Sequence, residues 1–212
     1  MVGGIKATLS VLIEKRTEMS RSTSIFSTTT ERMQWTLAHI IIVLTEWGGE
    51  AKIFDKSWNE KGANMTLYCD IALGPAPKQG SFGKGTYMLP SGNYAFSEFE
   101  DIDLYEAKRT LKHSTTHLEL SNMLFSILYF ASKEQKILCV CDNKAAVGIA
   151  KARYSAKANP AMEQLLHRFD IECLRRDLSI RFKWQSRHDR LPKIADHLSR
   201  GEVSKPLSPL PP

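Results

Sequence analysis

Apolar and polar positions follow a few distinct rhythms along this chain. Residues 137–141, Ile-Leu-Cys-Val-Cys, form an unbroken apolar run closed by Asp142 and Asn143. Such a run predicts a strand buried on both faces of a parallel or mixed sheet. Asp142 then falls at the strand's carboxyl end, the edge where open α/β sheets place their ligands. A second reading stands beside it, because Asp also serves well as the cap of a following helix. Residues 65–73 predict another strand, which carries Asp70 near its end and is broken by Gly74, Pro75 and Pro77. Residues 83–89 and 93–97 read as two more strands joined through Pro90-Ser91-Gly92, giving an antiparallel meander. Ile180, Phe182 and Trp184 alternate with Ser179, Arg181 and Lys183, which marks a last strand with one polar face.

The intervening segments carry the helical period. Met33, Leu37, Ile40, Ile41 and Leu44 predict a helix over 31–47, stopped by Gly48-Gly49 and packed on the main domain. Leu120, Met123, Leu124, Ile127, Leu128 and Ala131 form an apolar stripe on a helix starting near Thr116. Thr116-His117-Leu118-Glu119 fits a capping box, which would give Glu119 a purely structural role. A short helix over 144–151 follows the strand at 137–141. Asn159-Pro160 opens the next helix, which buries Met162, Leu165, Leu166, Phe169 and Cys173 and ends near Asp177. After an Arg- and His-rich loop over 185–191, Pro192 begins a last short helix bearing Asp196. The predicted order is three antiparallel strands, helix, strand, two helices, strand, helix.

The margins are of another kind. Residues 1–30 are rich in Ser, Thr and basic residues without sustained periodicity, and predict a loose lead. Residues 50–63 read as a connection anchored by Trp58. The stretch 98–106 holds five carboxylates in nine residues and reads as a solvated loop, and residues 201–212, with four prolines, as a disordered tail.

Composition adds an anionic partner. The 212 residues carry a net charge of +6, and the excess is local: residues 133–200 hold 15 basic and 8 acidic side chains, or +7. The four cysteines show no paired CxxC spacing and read as reduced core residues. No secretory signal is evident, and the apolar run 37–44 is too short to span a bilayer. An intracellular protein, cytoplasmic or nuclear and without a membrane partner, is expected.

Four carboxylates stand at element ends: Asp70, Glu119, Asp142 and Asp196. Magnesium binds octahedral oxygen sets and keeps several waters, so a carboxylate cluster open to solvent and phosphate suits it. Two such ions about 3.5–4 Å apart promote phosphodiester cleavage.

In these residues the chain resembles the ribonuclease H domain of retroelement reverse transcriptases, of the tyrosine-recombinase and LTR classes. The resemblance covers roughly residues 65–200. It rests on Asp142-Asn143 after an apolar strand, on Leu118-Glu119-Leu120 at a helix start, and on the ending Ile194-Ala195-Asp196-His197-Leu198-Ser199-Arg200. The carboxylates are spaced by 49, 23 and 54 residues. The chain departs from the pattern in Ile71 and Ala72 after Asp70, in Pro192, and in the long acidic connection before Glu119.

The resemblance implies a ribonuclease H-like α/β fold: a mixed five-stranded sheet, three antiparallel strands then two parallel, with flanking helices. It implies endonucleolytic hydrolysis of the RNA strand of RNA·DNA hybrids. Two Mg2+ ions, with Mn2+ as the alternative, would be held by Asp70, Glu119, Asp142 and Asp196. His188 matches a catalytic-loop histidine, with Arg187 or Arg190 as substitutes. Residues 1–60 resemble the segment joining a polymerase thumb to its ribonuclease H domain, which implies the polymerase part of a reverse transcriptase as partner. No polymerase YxDD motif is present, since Ile71 follows Tyr68-Cys69-Asp70. The alternative is a non-catalytic ribonuclease H-like module that binds nucleic acid, or a decayed retroelement fragment. Zinc on Cys139 and Cys141 is a third reading.

Overall fold

A computed structural model describes residues 31–46, 58–72, 83–99, 114–153 and 160–202. Five strands, β1 (Met65–Ala72), β2 (Gly83–Leu89), β3 (Tyr94–Glu98), β4 (Lys136–Cys141) and β5 (Ser179–Trp184), form one sheet in the order β3-β2-β1-β4-β5. The β3–β2 and β2–β1 pairs are antiparallel. The β1–β4 and β4–β5 pairs are parallel. Helices α1 (Glu31–Glu46), α2 (Ser114–Phe130), α3 (Lys144–Ala152), α4 (Pro160–Arg176) and α5 (Arg190–Ser199) complete the described chain. This is the expected α/β architecture, consistent with a ribonuclease H-like fold.

The apolar runs exist because β1 and β4 are covered on both faces. On one face Met65, Leu67 and Cys69 of β1 and Ile137, Cys139 and Cys141 of β4 pack under Leu120, Met123, Leu124 and Ile127 of α2 and Met162, Leu166 and Phe169 of α4. On the other, Tyr68, Tyr87, Leu138 and Val140 pack against Ala195 and Leu198 of α5. All four cysteines are buried and free, as expected of core residues.

Helix α5 lies unusually close to the sheet, and Gly85 of β2 is the reason. A Cβ at Gly85 would stand 2.4 Å from Ser199 N, 2.6 Å from the Ala195 carbonyl oxygen and 2.9 Å from Leu198 C. Only a residue without a side chain lets the helix backbone settle there.

Several element boundaries differ from expectation. Helix α2 begins at Ser114 rather than Thr116. Helix α5 begins at Arg190, so Pro192 takes its third position, where an amide would lack an intrahelical partner in any case. Trp58 is buried and donates its indole N–H to Ser179 Oγ at 2.7 Å, which is the anchoring expected of it. Helix α1 does pack on α4, but through its polar side: Thr36 and His39 are buried, and the His39 ring stacks on His167 with centroids 4.1 Å apart. Leu37, Ile41 and Leu44 of its apolar stripe are exposed. The expectations for residues 1–30, for the acidic stretch past Phe99 and for the tail beyond Glu202 lie outside the described residues. Among the described residues no helix is long and apolar enough to cross a membrane.

Candidate metal centre

The parallel β1–β4 ladder brings two carboxylates together by register. Its last paired residues are Cys69 and Cys141. One position further on, Asp70 on β1 and Asp142 in the bend that leaves β4 follow this last pair, where the two strands are spaced by about 4.8 Å. Asp70 is buried and Asp142 half-buried.

Glu119 approaches from α2 and is buried. It is the sixth residue of the helix, not the third, so the capping-box geometry does not arise. Instead Glu119 Oε2 accepts from the Cys141 thiol at 3.5 Å. Ligand atoms of Glu119, Cys141 and Asp142 all lie within 4.8 Å of one another, so this group could hold a metal ion. The cap reading of Asp142 is overturned as well. Asn143 is the N-cap of α3, its side-chain oxygen accepting from the amides of Ala145 and Ala146 at 3.0 and 3.1 Å. Asp142 is thereby left with no structural duty at the helix end.

Asp196 arrives on α5. Ser199, one turn later and fully buried, has its hydroxyl 2.8 Å from Asp70 Oδ2 and 2.8 Å from the Asp196 carbonyl oxygen. This hydroxyl ties the helix that carries Asp196 to the strand that carries Asp70. Two arginines sit on the outer carboxylates: Arg187 Nε donates to Asp142 Oδ2 at 2.7 Å, and Arg200 Nη2 donates to Asp196 Oδ1 at 2.9 Å. His188 lies on the exposed loop between Arg187 and α5, with only its backbone amide bonded, to Ser186 Oγ at 3.4 Å.

A polar row on α2 supports the same corner. Glu119, Asn122 and Ser126 are all buried and recur at i, i+3 and i+7. Asn122 Nδ2 donates to the Asp70 carbonyl at 2.9 Å and to the Gly85 carbonyl at 3.3 Å, while Ser126 Oγ lies 2.6 Å from Thr86 Oγ1. Asn122 and Gly85 were not singled out by sequence reasoning, and Ser199 and Arg200 entered it only as part of the closing motif, without a role. Two signals were available: polar residues at helical spacing beside the apolar stripe, and a glycine inside a strand pattern.

The electrostatics are those of a site short of positive charge. Burial pushes the Asp70 carboxyl up to about 6, with Asp142 and Asp196 adding to the rise and the Ser199 hydrogen bond opposing it. Burial also holds Glu119 well above the usual carboxylate range, helped by Asp70 and Asp142. The Cys141 thiol is raised well above its ordinary value by burial and by Glu119, so it remains a protonated donor. The group that could hold a cation thus offers two carboxylates, Glu119 and Asp142, and one thiol, Cys141.

A pH dependence follows. The folded protein protonates Asp70 near pH 6 and the unfolded chain near 3.8. Between those values the folded state binds more protons, so this contribution to stability is full below 3.8 and lost as pH rises through 6. It amounts to about 3 kcal/mol. In EDTA, denaturant titrations at pH 5 and pH 8 should show about half of that loss, roughly 1.4 kcal/mol, in the parent and much less of it in Asp70→Asn. Equal pH responses of the two proteins would remove Asp70 from the strained cluster.

The sequence matches no family model and no characterised protein.

Proposed function

We propose that this protein is a ribonuclease H-type endonuclease that hydrolyses the RNA strand of RNA·DNA hybrids, and that it belongs to a retroelement reverse transcriptase. The observation that carries this reading is the mutual electrostatic influence of carboxylates from four separate elements, Asp142 and Asp196 both raising Asp70 and Asp70 and Asp142 raising Glu119, beside a group of ligand atoms formed by Glu119, Cys141 and Asp142. Asp70 and Asp142 come from adjacent parallel strands, Glu119 from the helix over one face, and Asp196 from the helix over the other. Asp70, Glu119, Asp142 and Asp196 would hold two Mg2+ ions, or Mn2+ in their place. Such ions, when bound, activate an attacking water and stabilise the leaving oxygen.

The protein's own groups do the rest. Buried carboxylates without an equal number of cations hold mutual repulsion that a divalent ion relieves, which favours metal over water at this corner. Ser199 and Asn122 fix Asp70 from opposite sides through its carboxylate and its carbonyl. Arg187 and Arg200 are more than 40% exposed, so each can leave its carboxylate and meet a phosphate at little cost. Lys144, which opens the helix after Asp142, and Arg187, Arg190 and Lys193, in and just after the loop before Asp196, are all exposed.

Recognition through backbone shape and 2′-hydroxyls, rather than base edges, is expected of such a surface. Purified protein with Mg2+ should cut a uniform RNA·DNA hybrid and spare the matching DNA duplex, and EDTA should stop the reaction. Hybrid affinity should fall steeply between low and physiological salt. Equal cleavage of both duplexes overturns this reading. Hybrid binding without cleavage under Mg2+ or Mn2+ replaces it with the non-catalytic nucleic-acid-binding module, a state that the pairing of Arg187 and Arg200 with Asp142 and Asp196 would also suit.

A further inference from the structure

Trp184 is the last residue of β5 and lies opposite Cys141 in the parallel register. It is 41% exposed, although most large aromatic side chains gain by burial. Its position is nevertheless held. The indole Nε1–H donates to the Asp142 carbonyl at 2.7 Å. One residue on, the Gln185 amide donates to the Cys141 carbonyl at 3.1 Å. The peptide units on either side of the Asp142 Cα are thus both tied to the end of β5. On the helix side, Asn143 caps α3 and its own amide meets Cys141 Sγ at 3.4 Å.

The indole face carries a second group. Lys144 Nζ sits 4.4 Å from the ring centroid. Lys144 is exposed and is the first residue of α3, where the helix dipole disfavours a cation. The ring offsets that penalty and holds the ammonium over its face.

We propose that Trp184 is a positioning residue, which orients Asp142 through its carbonyl and parks Lys144 on the indole face as a cation for the substrate's phosphate backbone. This rests on the metal-dependent nuclease reading above. The two functions use different parts of one side chain. The ring N–H serves the carboxylate, and the π face serves the lysine.

Two variants separate them. Trp184→Phe keeps the π face and removes the donor, whereas Lys144→Gln keeps the donor and removes the cation. Mn2+ is titrated calorimetrically into EDTA-stripped parent and variants, with far-UV circular dichroism confirming the fold. Hybrid binding is measured separately in EDTA across a salt series.

Trp184→Phe should bind Mn2+ about ten- to a hundred-fold more weakly, the usual effect of removing a group that orients a ligand, with its salt dependence of hybrid binding unchanged. Lys144→Gln should keep the parental Mn2+ affinity, and its slope of log affinity against log salt should fall by about one. Trp184→Leu should show both losses. Parental Mn2+ affinity in Trp184→Phe overturns the positioning role. A parental salt slope in Lys144→Gln overturns the phosphate-facing cation. A parent that binds no Mn2+ overturns the metal centre itself and this inference with it, a result separable from the other two.

Discussion

Asp142→Asn should abolish hybrid cleavage while leaving the metal-free protein at least as stable as the parent. The helix cap is supplied by Asn143, so α3 loses nothing. The Trp184 bond goes to the Asp142 backbone and survives the change. Arg187 still finds a side-chain oxygen, and its pair with Asp142 is too exposed to contribute more than about 1 kcal/mol. Against that small loss stands the relief of Asp70 and Glu119, both of which Asp142 drives toward protonation. Magnesium should raise the parent's melting temperature, because an ion bound only to the folded state stabilises it by mass action. In the variant that response should be largely gone, and activity should fall by more than about a hundred-fold, beyond what losing a mere orienting group costs. Melting curves of both proteins with and without Mg2+ test this. Identical magnesium responses would show that Asp142 is no ligand, and the two-ion mechanism would lose its central residue.

Gly85→Ala is expected to damage the site from a position that carries no chemistry. The added methyl would lie 2.4–2.9 Å from Ser199 N, the Ala195 carbonyl oxygen and Leu198 C, all of them backbone atoms of α5. A helix backbone cannot yield as a flexible side-chain tip can, so α5 must move. Overpacking of this kind costs about 1–3 kcal/mol, occasionally more. The displacement carries Asp196 and Ser199 with it, so magnesium response and cleavage should both drop further than the lost stability alone explains. Gly148→Ala is the natural control, since nothing stands within 4 Å of a Cβ there. In the middle of α3 it should raise stability by about 0.5–1 kcal/mol and leave activity unchanged. Parental magnesium affinity in a folded Gly85→Ala protein would show that the close seat of α5 is unrelated to the site.

Much of the fold was legible because its determinants are local. The apolar runs of β1 and β4 announce strands covered on both faces, and the stripe from Leu120 to Ile127 announces a helix over one of them. Those periods follow from backbone geometry within each segment and need no knowledge of the rest. The same holds for the four carboxylates as candidates, since position at an element end can be read along the chain.

What each carboxylate does was decided by packing. Sequence spacing admitted a capping box at Glu119 and a helix cap at Asp142, and neither forms. Helix α2 starts at Ser114, which turns Glu119 inward toward Cys141, and Asn143 takes the cap that Asp142 could have filled. The approach of Asp70 and Asp142 follows from the parallel β1–β4 register, which pairs the residues just before them, Cys69 and Cys141, although 72 residues separate them. Leu37, Ile41 and Leu44 of the α1 stripe are likewise exposed, while His39 of the same helix is buried against His167 of α4. Ser199, Asn122 and Gly85 show the same limit most plainly. Their residue types are ordinary, and they matter only through what a second or third element places within 3 Å of them. Local periodicity thus determined which elements form and in what order. Only the tertiary structure decided which polar groups share one corner, because proximity across a sheet depends on register and on helix approach, and neither is encoded in any single segment.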